Sequence, residues 1–276
     1  HKGDQDWNES RRGEPIDGAN DGASGVAVLL EMARLIPTLN LSHEVTLFFT
    51  DGEDQGDNHS TYVLGAKAWA ENLTQSEADS IESFILVDMV GDAYLTLRKT
   101  NPGTEELWNR TEDMIRYIDD VCGINDSSYF DFDKIDGIYD DHVPAYELGI
   151  PAIDIIDTRY GENATFLGGH WHTHNDTADK VSADSLQKVG LILELGLITG
   201  AWLDVRESNI DTEEETLDPC LEDSSEDKPE CAVDTSEDTN SQEADDMTVG
   251  VLLALCIILV WSILAWLVFA DNRGEG

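Results

Sequence analysis

The sequence has few basic residues for its length. Its 276 residues include 16 Lys and Arg against 58 Asp and Glu, which gives a formal net charge of −42 at pH 7. This balance excludes a nucleic-acid partner, because phosphates are bound through Lys and Arg and would be repelled by an acidic surface. Such a surface is typical of proteins that work in high salt, where screening relieves the repulsion between like charges.

Cysteine is also scarce, with four residues in the chain, and none of them lies in a redox or zinc-binding spacing. Cys220 and Cys231 flank a short acidic loop that a disulfide would close in an oxidising compartment, but spacing alone leaves paired and unpaired states open. The sequence shows no initiator Met and no signal sequence. We therefore expect a fragment that lacks its amino-terminal part.

One long hydrophobic run lies near the carboxyl end. Residues 249–270 carry no charged side chain, and a helix of this length spans about 33 Å, enough for a hydrocarbon core of about 30 Å. A buried core helix is the alternative, but the uninterrupted apolar run favours a single transmembrane helix at 247–270, followed by a short tail at 271–276. The preceding residues 207–246 are rich in Asp, Glu, Ser and Thr, which predicts a disordered stalk.

Two features favour an extracytoplasmic position for the amino-terminal domain, residues 1–206. Arg273 lies on the short side of the predicted span, as expected for a cytoplasmic end. The chain also has more N-x-S/T sequons than its Ser and Thr content predicts. They begin at Asn8, Asn40, Asn58, Asn72, Asn109, Asn125, Asn163 and Asn175.

Residues 1–206 alternate between helical and strand-like patterns. Apolar spacing predicts helices at 22–36, 60–73, 104–121 and 182–203, and apolar runs predict strands at 44–50, 83–91 and 149–157. These runs lack the alternation of a half-exposed strand, so we expect strands that are covered on both faces. The pattern predicts an α/β domain with a mostly parallel central sheet flanked by helices on both faces.

Acidic and imidazole side chains collect in six short motifs, which we place in loops at the presumed ends of strands. The motifs lie at 18–21, 51–54, 87–92, 139–142, 153–157 and 170–176. The carboxyl ends of strands in an open α/β sheet are where ligands bind. Because little basic charge is available to balance these groups, a divalent cation is expected. A mixed set of His and carboxylates favours zinc in a catalytic site.

The order of these motifs resembles the zinc aminopeptidase and glutaminyl cyclase superfamily, metallopeptidase clan MH, and most closely its bacterial-type glutaminyl-peptide cyclotransferases. The resemblance covers about residues 4–200. It implies that Asp21, Asp54 and His172 bind Zn²⁺, and that Glu53 is the general acid or base. It also implies that a second zinc, where present, is held by Asp21, Asp88 and an upstream His that precedes this fragment.

Two details resemble the cyclases more than the aminopeptidases. The sequence YDDH at 139–142 implies that Asp140, with Asp88, assists Glu53 in proton transfer. Trp171, directly before His172, implies a pocket wall for an amino-terminal glutamine. Asp154 stands where the animal cyclases carry a His, which implies a changed substrate pocket, and Asp54 replaces their Glu ligand.

The resemblance leads us to expect an enzyme that acts on the amino termini of peptides or proteins, and the apolar run at 249–270 leads us to expect that it is anchored in a membrane. The leading hypothesis is an acyltransferase that converts amino-terminal glutamine to pyroglutamate and releases ammonia. The alternative is a di-zinc aminopeptidase, a hydrolase in which Glu53 deprotonates the water that attacks the first peptide bond. A hypothesis of another class is a non-catalytic binding ectodomain, although an intact Glu53 argues against it. The sequence does not indicate an oligomeric state.

Overall fold

A computed structural model of the chain describes residues 2–54, 60–122 and 129–206. The chain divides into two compact units, residues 1–116 with 126–213, and residues 117–125 with 214–276. Of the second unit, only the end of one helix is described. The predicted stalk, transmembrane helix and tail lie outside the described residues, as do Cys220 and Cys231. No helix in the described ranges is both long enough and apolar enough to cross a membrane.

Six α-helices and six strands make up the described residues, together with short 3-10 turns. The helices are α1 (Ala23–Leu35), α2 (Leu64–Asn72), α3 (Gln75–Asp79), α4 (Glu105–Cys122), α5 (Val143–Glu147) and α6 (Ala183–Thr199). The strands are β1 (Phe84–Asp88), β2 (Leu97–Asn101), β3 (Phe130–Gly137), β4 (Ala152–Ile156), β5 (Arg159–Tyr160) and β6 (Gly168–Gly169). The four helices predicted from apolar spacing are confirmed as α1, α2, α4 and α6, with small shifts at their ends.

The strands pair in parallel, as predicted, but as three two-stranded sheets: β1 with β4, β2 with β3, and β5 with β6. The α/β class with parallel strands is confirmed. A single continuous central sheet is not present in the described residues. β2 lies beside β4, where the Thr100 hydroxyl bridges the backbone of Asp154: the Asp154 N–H donates to Thr100 Oγ1 at 3.4 Å and Thr100 Oγ1 donates to the Asp154 carbonyl at 3.5 Å. The Thr100 side chain thus makes hydrogen bonds to β4 where the backbone groups of a paired strand would make them.

The strand predicted at 44–50 is wrong, because these residues form no ladder. A space of about 810 Å³ is lined by this segment on one side and by β1 on the other. Side chains span part of it, since the ring of Phe48 lies 5.3 Å from that of Trp69 and 6.4 Å from that of Phe84. Aromatic contacts, instead of the backbone hydrogen bonds of a strand, therefore hold this segment.

Helix α1 packs directly on β1. A Cβ atom added at Gly25 would lie 2.0 Å from the carbonyl oxygen of Val87, so only glycine permits this approach. The approach places the amino end of α1 beside Asp88, the last residue of β1. The turn before α1 and the carboxyl end of β1 are thereby brought to one edge of the domain.

Candidate active site

The turn that carries Asp21 is held by a buried carboxylate. The backbone N–H groups of Asn20 and Asp21 donate to Asp176 Oδ1 and Oδ2, at 2.8 Å and 3.2 Å, and the Tyr160 hydroxyl donates to Oδ1 at 3.0 Å. Asp176 is fully buried. Its two oxygens fix the backbone from which Asp21 extends, since backbone donors left unmatched in the interior would be costly.

The same turn is joined to the segment that follows β1. Asn20 Oδ1 accepts a hydrogen bond from the N–H of Gly91 at 2.6 Å. A Cβ atom at Gly22 would lie 3.0 Å from Asp88 Oδ1, so the turn lies against that carboxylate. Asp21 and Asp88 are therefore neighbours because of backbone contacts at both ends of the turn.

The acidic loop after residue 50 is fixed by the start of α2. The N–H groups of Val63, Leu64 and Gly65 donate to the carbonyls of Glu53, Gly52 and Asp51, respectively, at 2.7, 3.1 and 3.0 Å. A Cβ atom at Gly65 would lie 2.5 Å from the Asp51 carbonyl oxygen, which requires glycine there. This backbone pairing orients the adjacent side chains of Glu53 and Asp54 without any strand before them.

The motif at 139–142 contributes one cavity-lining carboxylate and a buried imidazole. Asp140 is buried and accepts from the Asp141 N–H at 2.6 Å. The fully buried His142 donates from Nε2 to the Pro102 carbonyl at 2.8 Å, and its Nδ1 lies 3.8 Å from Asp154 Oδ2. Burial lowers the pKa of His142 to about 4, so its imidazole is neutral at pH 7.

His172 connects three carboxylates. Its Nδ1 donates to Asp4 Oδ1 at 2.8 Å, while its Nε2 lies 3.3 Å from Asp21 Oδ2 and 3.1 Å from Asp54 Oδ2. The ring stacks on Trp171 with centroids 3.8 Å apart and an angle of 20° between the planes. The backbone of His172 has φ = +51°. This uncommon conformation belongs to a residue held by its surroundings.

The contacts at His172 Nε2 require a cation. Because Nδ1–H is donated to Asp4, a neutral ring presents a lone pair at Nε2 towards two carboxylate oxygens, and three acceptors then face one another. A proton resolves this: burial alone would lower the pKa of His172, but hydrogen bonds to Asp21 and Asp54 and their charges outweigh it and raise the pKa to about 10.

A metal ion resolves the same conflict. Two ligands placed tetrahedrally around zinc at about 2.0–2.1 Å lie about 3.3 Å from each other. The distances from His172 Nε2 to Asp21 Oδ2 and Asp54 Oδ2 agree with this spacing. As the side chains lie, no group of three or more His, Cys, Asp or Glu in the described ranges has complete metal-binding geometry. The donor set nevertheless fits zinc in atom type and in these two distances.

These groups face a cavity of about 800 Å³, a size suited to a small ligand or a peptide end. Its polar side is formed by Asp21, Glu53, Asp54, Asp88, Asp140 and His172. Its other walls include Tyr62, Met89, Ile138, Tyr139, Ile156, Phe166, Leu167 and Trp171. Met89, Ile156 and Tyr160 form a buried cluster on which Trp171 packs. The cavity therefore combines a dense acidic wall with a firmly supported aromatic one.

The crowded carboxyl groups hold protons more tightly than carboxyl groups in water. Burial, followed by the charges of Asp140 and Asp54, raises the pKa of Glu53 to about 9. Burial is also the main cause that raises the pKa of Asp140 to about 7, against the opposing hydrogen bond from the Asp141 N–H. The pKa of Asp88 is raised well above its ordinary value by burial and by the charge of Asp21. The metal-free site is thus short of positive charge.

Seven of the eight sequence-predicted site residues line this cavity. Asp154 does not: it lies in β4, is fully buried, and faces His142. Substrate contact by Asp154 stays a prediction, as do the assigned roles of the other seven. Sequence reasoning missed Asp4 and Asp176. The one weak signal was that Asp176 falls in the motif at 170–176, whereas Asp4 lies before the first motif.

A model of peptidase family M28 matches residues 5–195. The chain belongs to this family. A curated relative, aminopeptidase YwaD of Bacillus subtilis (strain 168), is 27% identical over 177 residues, which cover 63% of this chain and 35% of the relative.

Solved structures that are similar to this chain include a glutaminyl cyclase and a zinc-dependent exopeptidase. A glutaminyl cyclase of an Acidobacteriales bacterium has a TM-score of 0.56 and 31% identity, covering 69% of this chain and 64% of that one. A Zn-dependent exopeptidase from Parabacteroides distasonis has a TM-score of 0.57 and 27% identity, covering 71% and 68%. The chain therefore spans about a third of the curated aminopeptidase and somewhat less than two thirds of the cyclase.

Proposed function

We propose that this M28 protein is a zinc-dependent glutaminyl-peptide cyclotransferase that acts on the amino termini of peptides or proteins. The observation that carries the proposal is the meeting of Asp21 and Asp54 oxygens at His172 Nε2, with Glu53 on the same cavity wall. Family membership and the similarity to a glutaminyl cyclase support it.

Asp21, Asp54 and His172 are the proposed zinc ligands. Two carboxylates and one neutral imidazole balance the charge of Zn²⁺, and three protein ligands are typical of a catalytic site. When bound, zinc acts as a Lewis acid that polarises a substrate carbonyl. Glu53 is adjacent to a ligand in sequence but is not assigned as one, so its carboxylate is left to move a proton.

In the proposed reaction, the α-amine nitrogen of an amino-terminal glutamine bonds to its own side-chain carbonyl carbon, and the bond to the amide nitrogen breaks. Glu53 takes one proton from the α-amine and delivers it to the departing nitrogen, which leaves as ammonia. No water is consumed. The carboxyl groups of Asp140, which is buried, and of Asp88 line the same cavity as Glu53. Such an acidic environment favours the protonated form of Glu53, so its carboxyl can hold the proton during the transfer.

Trp171 is proposed to guide the substrate. Its indole lies against the His172 ring and forms a cavity wall. The flat, uncharged amide side chain of the substrate can therefore pack on the indole, beside the proposed zinc ligand His172. Phe166 and Leu167 lie on the walls of the same cavity. These side chains limit the access of water, which would otherwise compete with the α-amine.

Aminopeptidase activity is the second candidate, and one observation favours it. Met89, Ile156 and Leu167 give the cavity apolar walls that suit an apolar first residue. In this reaction a water oxygen bonds to the carbonyl carbon of the first peptide bond while Glu53 takes its proton and gives it to the departing amine. Asp88, beside the turn of Asp21, would serve as a ligand of a second zinc.

One assay separates these reactions. The full chain, in detergent and with zinc, is offered a peptide that begins with Gln and a matched peptide that begins with Leu. Ammonia without peptide cleavage supports the cyclase, and free Leu supports the aminopeptidase. If neither product forms while zinc and both peptides bind, the chain is a binding ectodomain and the proposed function is wrong.

We also propose that the apolar residues 249–270 anchor the enzyme as a single transmembrane helix, with residues 1–206 outside the cytoplasm. Deletion of residues 247–276 should then release the protein from membranes, whereas the full chain should resist extraction by high salt or alkali. Equal release of both forms would contradict the anchor.

A further inference from the structure

A carboxylate on the far side of the His172 ring belongs to neither the proposed ligand set nor the proton path. Asp4 Oδ1 accepts a hydrogen bond from His172 Nδ1 at 2.8 Å. The adjacent backbone is fixed as well, since the Gln5 N–H donates to the His172 carbonyl at 3.1 Å. His172 is buried, whereas the Asp4 side chain is half exposed, so Asp4 closes the solvent side of the ring.

This contact determines which nitrogen of His172 faces the cavity. A neutral imidazole carries one N–H, and the hydrogen bond to Asp4 places it on Nδ1. Nε2 is then left as the atom that faces Asp21 and Asp54. The stacked Trp171 ring restricts rotation of the imidazole plane. Asp4 then determines which of the two ring orientations and which tautomer His172 adopts.

We propose that Asp4 is a positioning residue that holds His172 in the orientation and tautomer needed for zinc. The inference rests on the proposed zinc site. A carboxylate that accepts the second N–H of a ligand His also raises the basicity of the ligating nitrogen. Removal of such a partner weakens metal affinity by about 10- to 100-fold.

The chain supplies a matched control two residues further along. Asp6 Oδ2 accepts from His174 Nδ1 at 2.7 Å and from the His174 N–H at 3.1 Å, and Asp6 Oδ1 accepts from the Asn8 N–H at 2.8 Å. This pair has the same residue types and the same loop partners, but His174 does not line the site cavity. Asp6 therefore supports the loop, but the His that it holds is not a proposed zinc ligand.

The experiment compares Asp4→Ala, Asp4→Asn and Asp6→Ala with the unchanged full chain. Zinc affinity is measured by competition with a chromophoric chelator, and the thermal midpoint of each metal-free protein is measured alongside. We expect Asp4→Ala to bind zinc about 10- to 100-fold more weakly with little change in midpoint. Asp4→Asn, whose amide oxygen still accepts Nδ1–H, should fall between Asp4→Ala and the unchanged chain. Asp6→Ala should lower the midpoint and leave the zinc affinity of the folded protein unchanged.

A second readout detects the tautomer without metal or activity. Nitrogen NMR of ring-labelled His should assign the proton to Nδ1 of neutral His172 at high pH in the unchanged chain, and this preference should weaken in Asp4→Ala. Equal zinc affinity and an unchanged tautomer in Asp4→Ala would overturn the role of Asp4 alone. Failure of the unchanged chain to bind zinc would overturn the proposed metal site, and the role of Asp4 with it.

Discussion

Oδ2 of Asp54 lies 3.1 Å from Nε2 of His172. This contact joins the acidic loop before α2 to the loop that follows β6. Neither loop is held by a long strand; backbone hydrogen bonds to Val63, Leu64 and Gly65 fix one, and Asp4 with Trp171 fixes the other. The site is therefore built from loop-to-loop contacts, and its stability should depend on what occupies the space between the two side chains.

Zinc should stabilise the protein through this contact. A ligand that binds only the folded state at 100 times its dissociation constant adds about 2.7 kcal/mol to the free energy of unfolding. We expect a chelator to lower the thermal midpoint and added zinc to restore it. The His172→Gln variant is the control, because it removes the nitrogen at which both carboxylates meet. A midpoint that responds to zinc equally in both proteins would place the metal elsewhere.

Gly25 should be intolerant of a side chain. Gly25→Ala places a methyl group 2.0 Å from the Val87 carbonyl oxygen, so α1 must move away from β1. We expect a loss of about 1–3 kcal/mol or more in the free energy of unfolding, as for other overpacked sites, measured by urea titration.

Gly190 is the matched control for this substitution. It also lies within a helix, α6, but a Cβ atom there would meet nothing within 4 Å. Gly190→Ala should stabilise the protein by about 0.5–1 kcal/mol, because alanine is the better helix former. A similar change in both variants would refute the close packing of α1 on β1.

Asp157 should make the protein less stable as pH rises. It is buried, and accepts from the N–H groups of Thr96 and Arg159 at 2.8 Å and 2.9 Å. Burial, reinforced by the charge of Asp92, outweighs these hydrogen bonds and raises its pKa to about 7. The folded state then holds a proton that the unfolded state loses near pH 4. The contribution of Asp157 is complete below pH 4 and falls as pH rises towards 7, by on the order of 2–4 kcal/mol.

The test is the slope of the free energy of unfolding between pH 4.5 and pH 7.5 at fixed salt. Asp157→Asn does not titrate, so its slope should be less negative than that of the unchanged protein. Its absolute stability is not the readout, because the new amide group faces a backbone donor. Parallel slopes in the two proteins would show that Asp157 keeps an ordinary pKa when folded.

Trp171 should affect substrate binding more than zinc binding. Trp171→Leu removes the wall beside His172 while keeping an apolar side chain over Met89 and Ile156. We expect KM for the Gln peptide to rise by up to about 10-fold, since an aromatic pair contributes about 0.5–1.5 kcal/mol beyond its area burial, and zinc affinity to fall by a smaller factor because the His172 ring is held less firmly. Steady-state kinetics and chelator competition measure the two effects. An unchanged KM would remove Trp171 from the substrate pocket.

Helical periodicity predicted α1 and α6 because both bury one face, and long apolar runs predicted β1 and β4. The polar strands β2 and β3 were missed, since LRKTN and FDFDKIDG owe their pairing to each other and not to local composition. The apolar run at 44–50 was predicted as a strand, but none of the residues that the structure describes pairs with its backbone, and its side chains hold it instead. Composition alone does not report a missing partner.

The motif order and the family resemblance also predicted the acidic wall of the cavity and Trp171, but none of its other apolar and aromatic residues. They did not predict Asp176 or Asp4, whose partners are backbone N–H groups and a ring nitrogen far along the chain. Contacts between residues so far apart in the chain leave no local pattern that assigns these roles. Asp154 also lies in one of these motifs, but it is buried in β4 against His142, so its effect on the substrate pocket stays a prediction.

The central claim is that Glu53 moves a proton while its neighbour Asp54 helps to hold zinc. The most direct measurement is kcat for the Gln peptide in Glu53→Gln, with zinc content and affinity determined on the same sample. We predict that zinc affinity is kept within a few-fold and that ammonia release falls by about 10²–10⁴, the usual contribution of a general acid or base. Full activity in this variant, or loss of zinc with loss of activity, would contradict the account.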